Sequence, residues 1–326
     1  MRAIVIREPG GPDVLEMRDV AVPQPARGEV RVRVHATAVN RADLLQRRGL
    51  YPAPPGFPAD IPGLEIAGEV VALGADATDV ALGDRVFGIV GGGAYAEQIV
   101  VHARTLASMP AKMGFSEAAA VPEAFITAWD ALVDQCHLSA GEVLLVHAAG
   151  SGVGTAAAQI ARAIGARVIG TVRTAAKADR LRDMGLEESI VVAQGRFADE
   201  VLARTHGRGA DVVAELVGGA YVAEDLACLA DGGRVIVIGT MGGSRSEIDL
   251  SRLMHKRAEL RGTMLRARPL EEKIMAARAL QRHIVPLFER GILRPVIDRV
   301  LSLAQASEAH DRLESGESFG KVVLEI

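Results

Sequence analysis

The chain has 326 residues, 49% of them apolar and 24% charged, enough for a sizeable globular core and, at roughly 150 residues per domain, for two domains. A net charge of −4 excludes the basic footprint that nucleic acid or a polybasic membrane contact requires. Two cysteines, Cys136 and Cys228, exclude a disulfide scaffold and a four-thiolate zinc site, and no apolar run reaches the roughly 18 residues of a membrane span.

In chain order, the opening MRAIVIREPGG lacks the apolar stretch of a signal peptide, which together with the thiols predicts a cytoplasmic protein. Residues 3–6 (AIVI), 30–34 (VRVRV), 66–73 (IAGEVVAL) and 85–90 (RVFGIV) are short β-branched runs. Proline and glycine clusters such as PGGPD, PQPARGE and YPAPPGFPADIPG separate them. The pattern predicts an irregular, partly open sheet with long loops, where function tends to sit. The stretch SEAAAVPEAFITAWDALVDQC then has apolar residues at helical spacing, and SAGE (139–142) is a turn. Strands at 143–147, 167–172, 190–192, 211–216 and 234–238 alternate with helices near 153–164, 176–184, 198–205 and 220–230, the signature of a doubly wound parallel sheet. A helix near 270–290 leads to a terminal strand, KVVLEI, which needs a sheet to join. The β-rich first third is the natural host, so that domain is discontinuous: 1–122 and 263–326, with 123–262 inserted.

The strongest chemical signal is VLLVHAAGSGVGTAAAQIARAIGA. A buried strand enters a turn containing Ala149, Gly150, Ser151, Gly152, Val153 and Gly154, and an alanine-rich helix leaves it. Glycines there allow a tight turn and close approach to a pyrophosphate, while the helix N-terminus offers free N–H groups. The spacing departs from a strict G-x-G-x-x-G, since Ala157 holds the last position counted from Gly152, yet the strand before and helix after it point to dinucleotide binding. An NAD site carries an acid about 20 residues on, for the ribose 2′-hydroxyl. That place reads TVRTAAKADR, with Arg173 and Lys177, a cationic pair suited to the 2′-phosphate of NADPH. The later turns LVGGA, with Gly218, and IGTMGGSR, with Gly239 and Met241, should border the same cofactor.

These residues resemble the medium-chain dehydrogenase/reductase superfamily, in its zinc-independent quinone oxidoreductase branch. The resemblance spans essentially the whole chain and rests on NRADLLQRRGLYPAPPG, PGLEIAGEV, LGDRVFG, AAAVPEAFITAWDAL, GEVLLVHAAGSGVGTAAAQIAR and FGKVVLEI. Ser151, where many members carry glycine, together with the NRADLLQRRGLYPAPPG segment, is most similar to the subgroup typified by the tumour-suppressor-induced quinone oxidoreductase. The resemblance implies an α/β protein, with a Rossmann cofactor domain inserted into a GroES-like, β-rich catalytic domain and the active site in the cleft. By position it implies Asn40, Tyr51 and Thr127 on the nicotinamide and substrate side, and Ser151, Gly152, Val153, Arg173 and Lys177 on phosphates and ribose. Gly239, Met241, Leu265, Arg266, Phe319 and Lys321 would complete the NADPH pocket. Val192 stands where the subgroup often has a tyrosine. A homodimer joined at the cofactor-sheet edge, near 234–239, is implied as well.

Zinc-dependent relatives place Cys at the position of Asn40 and His at that of Leu64; neither residue here replaces such a ligand, and the eight histidines include no i, i+4 pair. No metal site is therefore expected. Without a Lewis acid, ionising an alcohol is difficult at neutral pH, whereas hydride delivery to a quinone or enone needs chiefly positioning and donors near the oxygen. Asn40, the single asparagine of the chain, also fits a helix N-cap with Asp43 three residues on. Tyr51 fits a packing role as well as an acid or orienting one, and Thr127 fits a half-buried helix hydroxyl. No paired-carboxylate or Ser/His/Asp constellation stands out, so water is the expected proton source. The expectation is an NADPH-dependent quinone reductase acting on a small molecule, with no nucleic-acid or membrane partner. The alternatives are an enone or enoyl-thioester reductase on the same scaffold, and a crystallin-like cofactor- or RNA-binding protein without turnover.

Overall fold

The computed structural model describes residues 1–192 and 195–326. The chain divides into two compact units, one formed by Met1–Ile126 with Leu265–Ile326, the other by Thr127–Met264. The second begins at Thr127 and ends at Met264, where the sequence pattern had placed 123 and 262; a helix runs through the first junction, so composition does not mark it.

The first unit opens with β1 (Arg2–Ile6), β2 (Leu15–Asp19), β3 (Glu29–Val39), α1 (Arg41–Arg47), β4 (Glu65–Leu73), β5 (Arg85–Ile89), β6 (Gln98–His102), β7 (Ala107–Ser108) and α2 (Phe115–Ala119). Next comes α3 (Pro122–Trp129), across the junction. The second unit contributes β8 (Val143–Val146), α4 (Gly152–Ile164), β9 (Arg167–Val172), α5 (Ala175–Asp183), β10 (Ser189–Val191), α6 (Ala198–Arg204), β11 (Ala210–Glu215), α7 (Tyr221–Cys228), β12 (Leu229–Val237), α8 (Leu250–His255) and β13 (Glu259–Gly262). The chain returns through α9 (Leu270–Ala279), α10 (Val285–Glu289), β14 (Ile297–Ser302), α11 (Ala306–Glu314) and β15 (Lys321–Glu325).

In the first unit a seven-stranded sheet runs β14-β15-β3-β4-β5-β7, with β6 also on β3, and β1 pairs with β2 separately. The alternation in β3 explains its register. Val30, Val32 and Val34 point inward against Ile66, Val70, Val86, Ile99 and Val101, each buried valine contributing about 1.5–3 kcal/mol relative to exposure. The terminal strand β15 does join this sheet, antiparallel to β3 from Val322↔Val39 to Glu325↔Ala36. The single helix expected near 270–290 is three pieces: between α9 and α10 lies a π-helical turn, Leu280–Ile284. Pro286 follows it, where a missing N–H and ring bulk disturb the helical ladder.

The second unit is a six-stranded parallel sheet in the order β10-β9-β8-β11-β12-β13. Its central strands are apolar throughout; Val143, Leu144, Leu145 and Val146 are all buried, as sheets covered on both faces require. The strand order reverses between β8 and β11, which marks the crevice beyond their carboxyl ends as a ligand site. The expectation of a sheet edge near 234–239 is corrected. β12 is hydrogen-bonded on both sides, to β11 and β13, and the edge is β13. Among the described residues no helix is long and apolar enough to cross a membrane.

Candidate functional site

In the second unit, Ser151 caps α4: its Oγ accepts from the Gly154 N–H at 3.0 Å. The N–H groups of Gly152 and Val153 have no intrahelical acceptor, because the first turn of a helix has none to give, so they are available to an anion together with the positive end of the helix. The third glycine has a different task. A Cβ on Gly154 would lie 2.4 Å from the Ala148 carbonyl oxygen and 2.7 Å from Ala149 Cα, so Gly154 permits close packing of α4 against the turn. Ala148 itself takes a left-handed backbone, φ 46°, a strained conformation for alanine of the kind that clusters at ligand-binding turns.

Arg173 follows the last residue of β9 and is exposed. Thr174 caps α5 by accepting from the Lys177 N–H, which puts the lysine in the first helical turn. No acid lies between the end of β9 and Asp179. The loops after β11 and β12 are tied by a parallel bridge between Gly218 and Gly243. A Cβ on Gly218 would approach the Gly243 carbonyl oxygen to 2.6 Å, and one on Gly239 would approach that of Leu216 to 2.9 Å. Met241, in the same turn, is exposed, and Val192 is buried behind β10.

Beneath these loops lies a cluster that residue spacing did not reveal. His147, directly after β8, Glu215, ending β11, and Asp225 on α7 are all fully buried, with ligating atoms within 4.8 Å of one another. The His147 Nε2 lies 2.7 Å from Asp225 Oδ1, and its Nδ1 lies 2.8 Å from the Thr171 hydroxyl. Glu215 Oε1 accepts from the Gly218 N–H at 2.8 Å and also from that of Val217, so the cluster braces the loop carrying Gly218. Burial lowers His147 to about 4 and raises Glu215 to about 8 and Asp225 to about 7. Protons on the carboxyls thus balance the cluster at neutral pH.

A carboxyl raised in the folded state stabilises below its ordinary value and loses that contribution as pH rises through its folded value; a lowered histidine stabilises above 6.5 and loses its contribution as pH falls through about 4. Above 6.5 only the carboxyl contribution changes. The midpoint of denaturant unfolding is therefore expected to fall as pH rises from 6.5 through 8, and Asp225→Asn is expected to flatten that fall. An unchanged slope in the variant would assign the effect elsewhere.

The first unit holds the other cluster. Asn40 occupies the N-cap position of α1, as the spacing predicted, and Asp43 Oδ2 accepts the Asn40 N–H at 2.8 Å. The Asn40 side chain turns away from the helix. Its Nδ2 donates to Glu65 Oε1 at 2.8 Å and to the Ala38 carbonyl at 3.1 Å, and its Oδ1 accepts from Lys321 Nζ. Lys321 Nζ also lies 2.7 Å from Glu65 Oε1 and donates to the Val39 carbonyl. The second oxygen of Glu65 accepts the Glu123 N–H at 2.8 Å, at the start of α3. Asp43 is buried as well; besides Asn40 it accepts from the Gly63 N–H and the Tyr95 hydroxyl, and burial raises it to about 6. Burial, with the Glu65 carboxylate beside it, raises Glu123 to about 8; Lys321 and Arg266 oppose the shift without cancelling it.

Arg266 is buried and fully engaged within this unit. It donates to the Gly91 carbonyl (2.8 Å), Gln46 Oε1 (2.5 Å) and the Tyr51 carbonyl (3.2 Å), and its guanidinium lies 5.0 Å from the centre of the Tyr51 ring. Tyr51 is half-buried, and burial raises its phenol further. Leu265 and Phe319 are core residues, the Phe319 N–H bonded to Asp298. Of the residues expected around NADPH, Ser151, Gly152, Val153, Arg173, Lys177, Gly218, Gly239 and Met241 gather in the second unit. Leu265, Arg266, Phe319 and Lys321 belong to the first, where Arg266 and Lys321 bind other protein groups. Thr127, one turn beyond Glu123 on α3, is buried.

Residues 26–111 match the alcohol dehydrogenase GroES-like domain and residues 152–281 the zinc-binding dehydrogenase family. The human quinone oxidoreductase is 36% identical over 328 residues, 99% of this chain and 97% of that protein. The chain belongs to the medium-chain dehydrogenase/reductase superfamily. A quinone oxidoreductase from Pseudomonas syringae pv. Tomato superposes with a TM-score of 0.88 at 30% identity, covering 100% of this chain and 99% of that one. An NAD-dependent alcohol dehydrogenase does so with a TM-score of 0.87 at 34% identity, covering both chains fully. Membership in the medium-chain dehydrogenase/reductase superfamily makes the protein an oxidoreductase and the parallel sheet a nicotinamide-cofactor domain. The Asn40 side chain is committed to Glu65 and Lys321, and Leu64 is a core residue. Both cysteines are buried thiols, and burial raises each of them above the ordinary range, so neither is a ready ligand or nucleophile.

Proposed function

We propose that this oxidoreductase is a zinc-independent NADPH:quinone reductase that delivers hydride directly to an electron-poor conjugated carbonyl. The observation that carries this proposal is the Lys321 ammonium, held between Glu65 and Asn40. By the sequence resemblance, Asn40 and Leu64 stand where zinc-dependent relatives carry Cys and His, and neither replaces such a ligand. Such a site does not ionise an alcohol, but it suits an acceptor whose negative charge develops on a conjugated oxygen.

NADPH supplies a hydride from its nicotinamide ring when bound. The chain's own residues do the rest. The N–H groups of Gly152 and Val153 suit the pyrophosphate. Arg173 and Lys177, with no acid before Asp179, suit the 2′-phosphate through charge-assisted hydrogen bonds. On the acceptor side, Asn40 and Tyr51 are proposed as orienting groups, with Thr127 as a hydroxyl contact. A homodimer through the open edge of β13 belongs to the same proposal. That strand ends the sheet and is exposed along its whole length, and an edge strand can pair its outer backbone groups with a second copy.

A turnover assay tests the function. NADPH and NADH are offered with ortho- and para-quinones, enones and enoyl thioesters. Quinones should be reduced fastest, with NADPH preferred. Dominant enoyl-thioester reduction would favour the alternative on the same scaffold, and dominant alcohol oxidation would refute both.

A further inference from the structure

We infer that Glu123 is the proton donor to the reduced acceptor, because its carboxyl stands half-buried at the start of α3 beside Lys321, Glu65 and Asp43 and receives no hydrogen bond among the described residues. This role rests on the proposed reduction of a conjugated carbonyl. Hydride transfer oxidises NADPH and gives the acceptor two electrons and one hydrogen. The carbonyl electrons move onto oxygen, which then needs one proton. That proton leaves Glu123, the new O–H bond forms as the carboxyl O–H bond breaks, and the resulting carboxylate takes a proton from water before the next turnover.

Three features separate Glu123 from the other acids and hydroxyls of the cluster. Its backbone is fixed, since its N–H is bound to Glu65 Oε2 at 2.8 Å, so α3 starts in a set relation to the Lys321–Glu65–Asn40 group. Its neighbours have spent their own oxygens: Glu65 receives Lys321, Asn40 and the Glu123 amide, and Asp43 receives two backbone amides and the Tyr95 hydroxyl. Among the described residues none donates a hydrogen bond to the Glu123 carboxyl, and burial with the charges of Glu65 and Asp43 outweighs the opposing charges of Lys321 and Arg266. The Glu123 carboxyl therefore keeps its proton at neutral pH, and the half-buried Tyr51 phenol, raised from an already high value, is the poorer acid.

The test is steady-state kinetics of Glu123→Gln and Glu123→Asp, with folding checked by thermal melting. A positioned general acid contributes about 10²–10⁴-fold. The expected result is that E123Q loses at least ~10²-fold in kcat with the KM for NADPH unchanged. The wild-type fall in kcat above a pH near 8 should vanish in E123Q, and E123D should recover part of the rate. Near-wild-type kcat with an unaltered pH profile would overturn the role of Glu123 and leave the reductase proposal standing. Failure of the wild type to reduce any quinone or enone would overturn both. If E123Q does not fold, infrared carboxyl bands of the wild type and E123D decide the matter, since an ionised Glu123 at neutral pH contradicts the role.

Discussion

Reversing both charges in Arg173→Glu/Lys177→Glu is expected to weaken NADPH binding by about 10²–10⁴-fold, while the affinity for NADH stays near that of the wild type. Hydrogen bonds to charged groups contribute about 1.5–3 kcal/mol each, and each 1.4 kcal/mol is about tenfold in affinity. Arg173 directly follows β9, and Lys177 lies in the first turn of α5. In this fold the residues at that strand end face the adenosine ribose. Both side chains reach solvent, so the wild-type preference should also decline with added salt. Titration of each cofactor by intrinsic fluorescence, at low and high salt, gives the comparison. Equal loss for NADPH and NADH would mean the pair supports the fold rather than the 2′-phosphate.

Replacing Lys321 by methionine is expected to destabilise the protein by about 3–5 kcal/mol, the usual cost of leaving one partner of a buried ion pair without the other. Glu65 is fully buried, and Lys321 is 5% exposed. Removing the ammonium leaves Glu65 with two N–H donors, Asn40 Nδ2 and the Glu123 amide, and no other ion-pair partner among the described residues. Neutralising the partner as well, in Lys321→Met/Glu65→Gln, should recover part of the loss, because an unpaired charge is then no longer buried. Denaturant unfolding of the two variants measures both effects. A loss below about 1 kcal/mol in the single variant, typical of an exposed pair, would show that solvent rather than Lys321 balances Glu65.

Most of the second unit was legible in the sequence because its strands are continuous apolar runs between helices. VLLVH, RVIGTV and DVVAEL each stand out against their flanks, and the turn at 149–154 announces itself by glycine. What escaped there were α8 and the edge strand β13, whose residues ELRG are all exposed. An edge strand needs no apolar face, so periodicity carries no sign of it, and the edge was misplaced onto β12. In the first unit β3 was plain from its alternation, whereas β2, with charged residues outward and only Leu15 buried, was not. Asn40 was read correctly as the residue before α1, but the spacing of Asp43 suggested a side-chain cap. The partners that draw its amide elsewhere, Glu65 and Lys321, lie 25 and 281 residues away in the chain. The same distance hid Glu123. It reads as an ordinary acid in the first turn of a helix, and only the fold brings it beside Glu65 and Lys321. His147, Glu215 and Asp225 were hidden in the same way, each at or near the end of a different element. Local pattern thus reports elements and turns, and long-range side-chain chemistry is reported by topology alone.

In the proposed reaction hydride passes from NADPH to a conjugated carbonyl without a metal. Its most direct test is the rate of NADPH oxidation by a para-quinone, using protein dialysed against a strong chelator and assayed for metal by mass spectrometry. The metal-depleted enzyme is predicted to retain its full rate, to gain nothing from added zinc, and to use NADPH in preference to NADH. Loss of activity on chelation with recovery on zinc, or faster turnover with NADH, would contradict this reaction.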